Sequence, residues 1–240
     1  MPEIKIGVVV ADLDEYKPLV AFTERFCAKP YTYFKNEGIT FNFKGFEIIC
    51  LFSGVGKVNA ATATMHLVDI GCSYILNYGL SGGISGVKRG EINIPDKFLE
   101  HDFDLTLIGY KPCEKPWQNY IYSADEFLKN AVIKCFGDLS GGTAVCGDKF
   151  ICTDTDRKFL KDTFGASTCD LETGAIASVC DFSSVPFLSL RRVSDDAGDD
   201  ACDSYRNMNI NDGTALIDIF IKALESILVR LREKQNVTEG

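Results

Sequence analysis

Two acid-bearing segments stand beside apolar runs in this chain. In the first, Cys169-Asp170-Leu171-Glu172-Thr173-Gly174-Ala175, the carboxylates open a predicted helix. In the second, the apolar strand Pro186-Phe187-Leu188-Ser189-Leu190 runs into Arg191-Arg192-Val193-Ser194-Asp195-Asp196. Parallel α/β sheets bind ligands beyond the carboxyl ends of their strands. A strand needs no arginine and no serine–aspartate pair at that point, whereas general acid chemistry on a polar substrate does. Glu15, in the first turn after the first strand, adds a third carboxylate. It reads either as an exposed acid favourable to the helix dipole or as a general base for water, and position alone does not choose.

Two glycine-rich segments follow strands. Ser53-Gly54-Val55-Gly56-Lys57-Val58 opens a helix, whose first amides favour an anion or a polar oxygen. Val58 stands where a nucleotide P-loop needs serine or threonine, and Asn59 takes the third glycine position of a dinucleotide fingerprint. Spacing alone favours a tight strand–helix turn. Gly79-Leu80-Ser81-Gly82-Gly83 reads as a second break after a buried strand, and two such loops at strand ends can line one pocket. His101-Asp102-Phe103-Asp104 reads as a loop hydrogen-bonding network. Cys146-Gly147-Asp148-Lys149-Phe150 lacks a histidine in a context that would make its cysteine a nucleophile.

The elements that must position these groups alternate. Ile4–Val10 is a buried strand, and Asp12 and Asp14 can cap a helix through Ala28, with Pro18 tolerated only in its first turn. Tyr31–Phe34, Ile39–Phe43 and Phe46–Phe52 read as strands, Gly56–Ile70 as a helix, and Ser73–Tyr78 as a strand broken at Gly79. Glu91–Ile94 is a strand, Phe98–Ile108 irregular or strand, and Lys111–Trp117 a loop. Ser123 with Glu126 forms a capping box for a helix to Phe136. Thr143–Cys146 and Phe150–Ile151 are short strands; Asp154–Phe164 and Thr173–Phe182 are helices. Apolar spacing from Asn211 to Lys234 makes a long amphipathic helix. The pattern predicts one domain over residues 1–240, a three-layer α/β/α sandwich around a central mixed, mainly parallel sheet.

Composition excludes several partners. A net charge of −9 is unsuited to a phosphate backbone, so no nucleic-acid partner is expected. The sequence shows neither a signal-peptide pattern nor an apolar run of membrane-spanning length, and it reads as cytoplasmic. The 10 cysteines include no C-x-x-C pair, and only His66 and His101 could add imidazole, so neither a metal nor another cofactor is expected.

Taken in order, these segments resemble the nucleoside phosphorylase/nucleosidase superfamily. Within it they are most similar to the 5′-methylthioadenosine/S-adenosylhomocysteine nucleosidase family. The resemblance runs from Ile6-Gly7-Val8-Val9 and Glu15 through Ser53-Gly54-Val55-Gly56-Lys57-Val58 and Asn77-Tyr78-Gly79-Leu80-Ser81-Gly82-Gly83. It continues with His101-Asp102-Phe103-Asp104, Gly109-Tyr110, Gly147-Asp148 and Phe150-Ile151, then Leu171-Glu172, Ala175, Ala177 and Arg191-Arg192-Val193-Ser194-Asp195.

It implies a nucleoside phosphorylase-like fold and cleavage of an N-glycosidic bond of an adenine nucleoside. Asp195, oriented by Ser194, would then be the acid at purine N7, and Glu15 would activate water. Glu172 would hold the ribose hydroxyls, Phe150 would stack on the purine, backbone near Ile151 would read its edge, and Arg191 would lie near the water. Val55 and Leu171 complete the binding set. The family's phosphorylases carry an arginine after the first strand, where this chain has Ala11-Asp12-Leu13-Asp14-Glu15, a segment that repels a phosphate dianion. Hydrolysis is therefore expected over phosphorolysis. Asp12 stands where the family places an apolar residue at the substrate's 5′ end, and Leu80 replaces a small serine. These departures leave open a polar 5′ group, as in adenosine or a futalosine, and a catalytically silent nucleoside-binding protein. A homodimer, with Tyr110 and Lys111–Trp117 near the partner's pocket, is also implied.

Overall fold

A computed structural model describes residues 4–137, 139, 141–206 and 210–238. In chain order the elements are β1 (Lys5–Val10), α1 (Leu13–Thr23), β2 (Lys29–Tyr33), β3 (Asn36–Phe43), β4 (Phe46–Phe52), α2 (Lys57–Asp69) and β5 (Tyr74–Gly83). They continue as β6 (Ile92–Asn93), β7 (Lys97–Glu100), β8 (Ile121–Ser123), α3 (Glu126–Phe136), β9 (Thr143–Cys146) and α4 (Asp154–Phe164). The last are β10 (Ala166–Asp170), α5 (Thr173–Ser183), β11 (Phe187–Asp195), α6 (Ala201–Arg206) and α7 (Ile210–Thr238).

The sheet runs β2-β3-β4-β1-β5-β10-β9-β7-β8, with β11 paired to β5 and β6 to β11. It is mixed: β1 is parallel to β4 and β5, and β11 to β5, whereas β10 meets β5 antiparallel. Helix α2 packs on α5, and α7 packs on α1 and α3, so helices flank the sheet as the sandwich reading expects. Leu216, Phe220, Leu224, Ile227 and Leu231 form the buried stripe of α7, where Phe220 stacks on Tyr78 of β5 at 4.3 Å between ring centroids.

The long strand β5 organises the site. Its first half pairs with β1, most of its length pairs with β11, and Gly82 and Gly83 pair with β10. The end of β5 is thus the point where the ends of β1, β10 and β11 converge.

Several local expectations are corrected. Gly79–Gly83 is not a break: the strand runs through it, held on both sides by β11 and β10. Helix α1 ends at Thr23 and passes into a 3₁₀ turn, Glu24–Phe26, short of Ala28. Pro18 lies beyond its first turn, and the carbonyl it leaves unbonded belongs to Asp14, an exposed residue that water reaches. The cap of α3 is Asp125, which accepts from Leu128 N over 2.9 Å, because Ser123 is committed to the ladder with Lys97. Phe150–Ile151 is loop rather than strand, since the pairing of β9 with β7 and β10 ends at Cys146. Helix α6 was not foreseen.

Candidate active site

Arg191 enters the site from β11, whose alternation turns it toward β5. Its Nη1 donates to Asn77 Oδ1 over 3.1 Å and its Nη2 to the Leu80 carbonyl. Asn77 is itself fixed, accepting from Ser189 Oγ at 2.7 Å and donating to the Val9 carbonyl at 3.0 Å. A buried guanidinium must find such partners or lose its hydration without return. The same strand residue also serves Glu15, whose Oε1 accepts from Leu80 N at 2.8 Å. Glu15 is buried, which settles the choice its sequence position left open: it is not a solvent-facing helix acid. Burial pushes its carboxyl up to about 8, against the opposing pull of Arg191 and the Leu80 amide.

Glycine at 79 makes this approach possible. A Cβ there would stand 2.7 Å from Arg191 Nη1 and 3.0 Å from Glu15 Oε1. At Gly82 a Cβ would stand 3.0 Å from Cys169 Sγ and 3.2 Å from Asp195 Oδ1. The glycine run is strand stripped of side chains so that charged groups from three directions can reach its surface.

Glu172 sits between β10 and α5. Asp170 Oδ1 accepts from the amides of Glu172 and Thr173 at 2.9 and 2.8 Å, and its Oδ2 accepts from Thr173 Oγ1, closing the turn that presents Glu172. Glu172 Oε1 then accepts from Gly56 N over 3.0 Å, and the neighbouring Lys57 N donates to Asp148 Oδ1 over 2.8 Å. The first amides of α2 therefore meet carboxylates of this chain, the polar-oxygen role that helix N-termini favour. Glu172 is pushed up to about 7, first by burial and then by the Asp170 charge, with Arg191 Nη2 at 4.0 Å opposing.

Asp195 ends β11 and is buried. Its Oδ2 accepts from Ser194 Oγ at 2.7 Å and its Oδ1 from Ala197 N at 2.8 Å. The pairing of β11 with β5 slips by one residue between Val193 and Asp195. A bulge of this kind re-aims side chains next to sites.

These groups surround one cavity of about 270 Å³. Asp12, Val55, Leu80, Phe150, Ile151, Leu171 and Ser194 line it together with Glu15, Glu172, Arg191 and Asp195, so the structure brings together every site residue singled out from the sequence. Ser81, within the glycine run expected to line a pocket, also lines it, as does Tyr205, which went unnoticed. Ser81 Oγ is buried with no hydrogen-bond partner, a free polar atom at the cavity wall. Tyr205 packs edge-on against Phe150, with ring centroids 5.5 Å apart. No motif in the sequence marks Tyr205; only the turn that returns the chain after Asp195 brings it there. The two cations on the wall are already engaged, Arg191 as described and Lys149 with Asp156 at 2.8 Å. The cavity thus offers several carboxyl groups, with Glu15 and Glu172 raised above their ordinary range by burial, beside apolar and aromatic surface, a setting for acid–base chemistry on a neutral, partly aromatic molecule.

Residues 5–228 match the Phosphorylase superfamily, and the chain belongs to it. The aminodeoxyfutalosine nucleosidase of Campylobacter jejuni is 27% identical over 233 residues, covering 93% of this chain and 100% of that protein. The 5′-methylthioadenosine/S-adenosylhomocysteine nucleosidase of Shewanella loihica is 32% identical over 213 residues, 84% of this chain and 92% of that one. In fold, the crystal structure of the Helicobacter pylori 5′-methylthioadenosine/S-adenosylhomocysteine nucleosidase superposes with a TM-score of 0.87 at 22% identity, covering 94% and 99% of the two chains. The similarity lies with the nucleosidases of the superfamily.

Proposed function

We propose that this protein is an N-glycosyl hydrolase that releases adenine from adenine nucleosides, with water as the nucleophile. The observation that carries the reading is the convergence of Glu15, Glu172 and Asp195 on one cavity whose two cations are already bound to carboxylates or backbone. In this mechanism the C1′–N9 bond breaks as water attacks C1′. Asp195 gives a proton to N7 of the departing purine, and Glu15 takes a proton from the water. Glu172 holds the ribose hydroxyls and its negative charge favours the cationic sugar of the transition state. Phe150 stacks on the base, Ile151 backbone reads its edge, and Leu171 and Val55 pack about the sugar and base.

Base release from a panel of nucleosides, with and without inorganic phosphate, tests the reading. Free ribose at undiminished rate without phosphate supports it. Strict phosphate dependence with ribose 1-phosphate as product assigns a phosphorylase instead, and binding without base release assigns a nucleoside-binding protein.

A specific observation bears on the substrate's 5′ end. Asp12 lines the cavity with Tyr205, so a carboxylate and a phenol stand on its wall beside Glu15. A 5′ substituent that forms hydrogen bonds suits this wall better than methylthio, and the likeness to an aminodeoxyfutalosine nucleosidase supports it. The proposed enzyme is cytoplasmic, one domain across the chain, and a homodimer. Leu107, Ile108 and Trp117 are 99%, 70% and 98% exposed around Tyr110, a patch that a second copy would cover. A one-chain mass in light scattering would overturn the dimer.

A further inference from the structure

One carboxylate outside the cavity joins two segments of its wall. Val55 lines the cavity just ahead of α2, and Phe150 and Ile151 line it from the loop after β9. Asp102, in the turn after β7, does not line it but reaches both segments. Its Oδ1 accepts from Lys57 Nζ at 2.6 Å and its Oδ2 from Asp148 N at 3.0 Å. Asp148 closes the ring, since its own Oδ1 accepts from the Lys57 amide at 2.8 Å. The preceding amide, Gly56 N, is the one that holds Glu172 Oε1 at 3.0 Å. The loop is also seated on the residue before Asp102. His101 N donates to the Cys146 carbonyl at 2.8 Å, and Gly147 leaves no room for a Cβ beside the His101 ring. The Lys57 side chain is only 18% exposed, and Glu100 Oε2 at 3.3 Å gives its ammonium a second carboxylate. This is a connected set of charge-assisted bonds rather than a lone surface ion pair.

We propose that Asp102 is a positioning residue, which fixes the loop carrying Phe150 against the first turn of α2 and so sets the spacing between Phe150 and Glu172. A carboxylate suits the place because it accepts at both oxygens at once. An asparagine there has a single acceptor. If its oxygen faces Lys57, its NH2 meets the Asp148 N–H; if it is flipped, the NH2 meets the ammonium. The consequence for substrate rests on the nucleosidase reading, in which Phe150 stacks on the base. That contact is made in the bound substrate and in the transition state alike, so a loosened loop weakens both equally. A loss of that kind raises KM and leaves kcat nearly unchanged.

The test uses Asp102→Asn and Asp148→Ala in the full chain. Both leave the Lys57 ammonium a carboxylate at Glu100, so melting temperature should change little. With the nucleoside that the wild type cleaves best, each should raise KM roughly tenfold, the worth of one charge-assisted hydrogen bond, with kcat within about threefold. Affinity for free adenine should fall by the same factor, and amide exchange over residues 147–151 should quicken. In a Phe150→Ala background Asp102→Asn should add little, because the group it positions is gone. A purely structural role would lower the melting temperature without singling out KM. Should Asp102→Asn fail to fold, Asp148→Ala, at an exposed residue, carries the test. A KM within about twofold of wild type, unchanged exchange, or an undiminished effect beside Phe150→Ala overturns the inference. A wild type that releases no base defeats the nucleosidase reading instead, and amide exchange in the two variants still decides whether Asp102 holds the loop.

Discussion

Ser194 Oγ donates to Asp195 Oδ2 over 2.7 Å although the two residues are consecutive in β11. Neighbours on a regular strand point to opposite faces. Here the register shift between Val193 and Asp195 breaks the alternation, and both residues line the cavity. The serine thus fixes one oxygen of the aspartate while the Ala197 amide fixes the other, giving the carboxyl a defined direction at the cavity wall.

Asp195→Asn keeps the side-chain shape, its amide oxygen accepting from Ala197 N and its NH2 facing Ser194 Oγ, and removes the proposed proton donor. Turnover is expected to fall by about 10²–10⁴-fold, the usual worth of a positioned acid, with thermal unfolding nearly unchanged. Ser194→Ala removes only the orientation and should cost about tenfold, as the loss of one ordinary hydrogen bond does. Steady-state base release with parallel melting curves checks both; near-normal turnover in Asp195→Asn would remove the assignment.

Glu15 and Glu172 make stability depend on pH with a definite sign. Their carboxyls are raised from 4.5 to about 8 and about 7, so the folded protein keeps protons that the unfolded chain releases. Their contribution is fully present below the unfolded value and is lost as pH rises through the folded ones. Melting temperature should therefore decline between about pH 5 and about pH 8, and Glu15→Gln should decline less steeply. Activity should run the other way, because a general base must be ionised. kcat/KM of the wild type should rise toward about pH 8 as Glu15 loses its proton, and Glu15→Gln should lack that rise.

Much of the site was legible because its residue types have no packing reason to follow apolar strands. Arg191, Ser194, Asp195, Asp170 and Glu172 stand out in that way, and the alternation of strands and helices gave the layered architecture. The glycine run was misread because sequence shows only what glycine permits. A turn and a strand that must admit foreign side chains use the same residue, and only Arg191 and Glu15 lying against Gly79 distinguish them. Tyr205 was illegible for another reason, since its place depends on the path of the chain after β11. The cap at Asp125 was missed because Ser123 satisfies the capping pattern equally well until its ladder partner Lys97 is known.

The glycine argument makes its own prediction. Gly79→Ala places a methyl 2.7 Å from Arg191 Nη1 and about as near the Glu15 carboxylate, so one or both must move. Overpacking of this kind costs about 1–3 kcal/mol of stability. Activity should suffer more, by about 10² or beyond, because misplacement of about 1 Å is enough for that loss. A variant that melts lower but retains full turnover would show that the close approach is structural only.

Asp12 carries two duties that a substitution can separate. Its Oδ1 accepts from Asp14 N over 2.7 Å, capping α1, while the same carboxylate lines the cavity. Asp12→Asn retains an acceptor for the cap, since asparagine caps about as well as aspartate, so stability should change little. What it removes is the acid on the cavity wall where the proposed nucleosidase would hold the 5′ end of its substrate. If that acid selects a hydrogen-bonding or cationic 5′ group, the preference for adenosine or aminodeoxyfutalosine over methylthioadenosine should fall several-fold, as the ratio of kcat/KM values. Asp12→Leu should reverse the preference further and lower the melting temperature, at a cost of about 1 kcal/mol for the lost cap. Equal selectivity in wild type and Asp12→Asn would confine the residue to capping and return the 5′ preference to Leu80 and Tyr205.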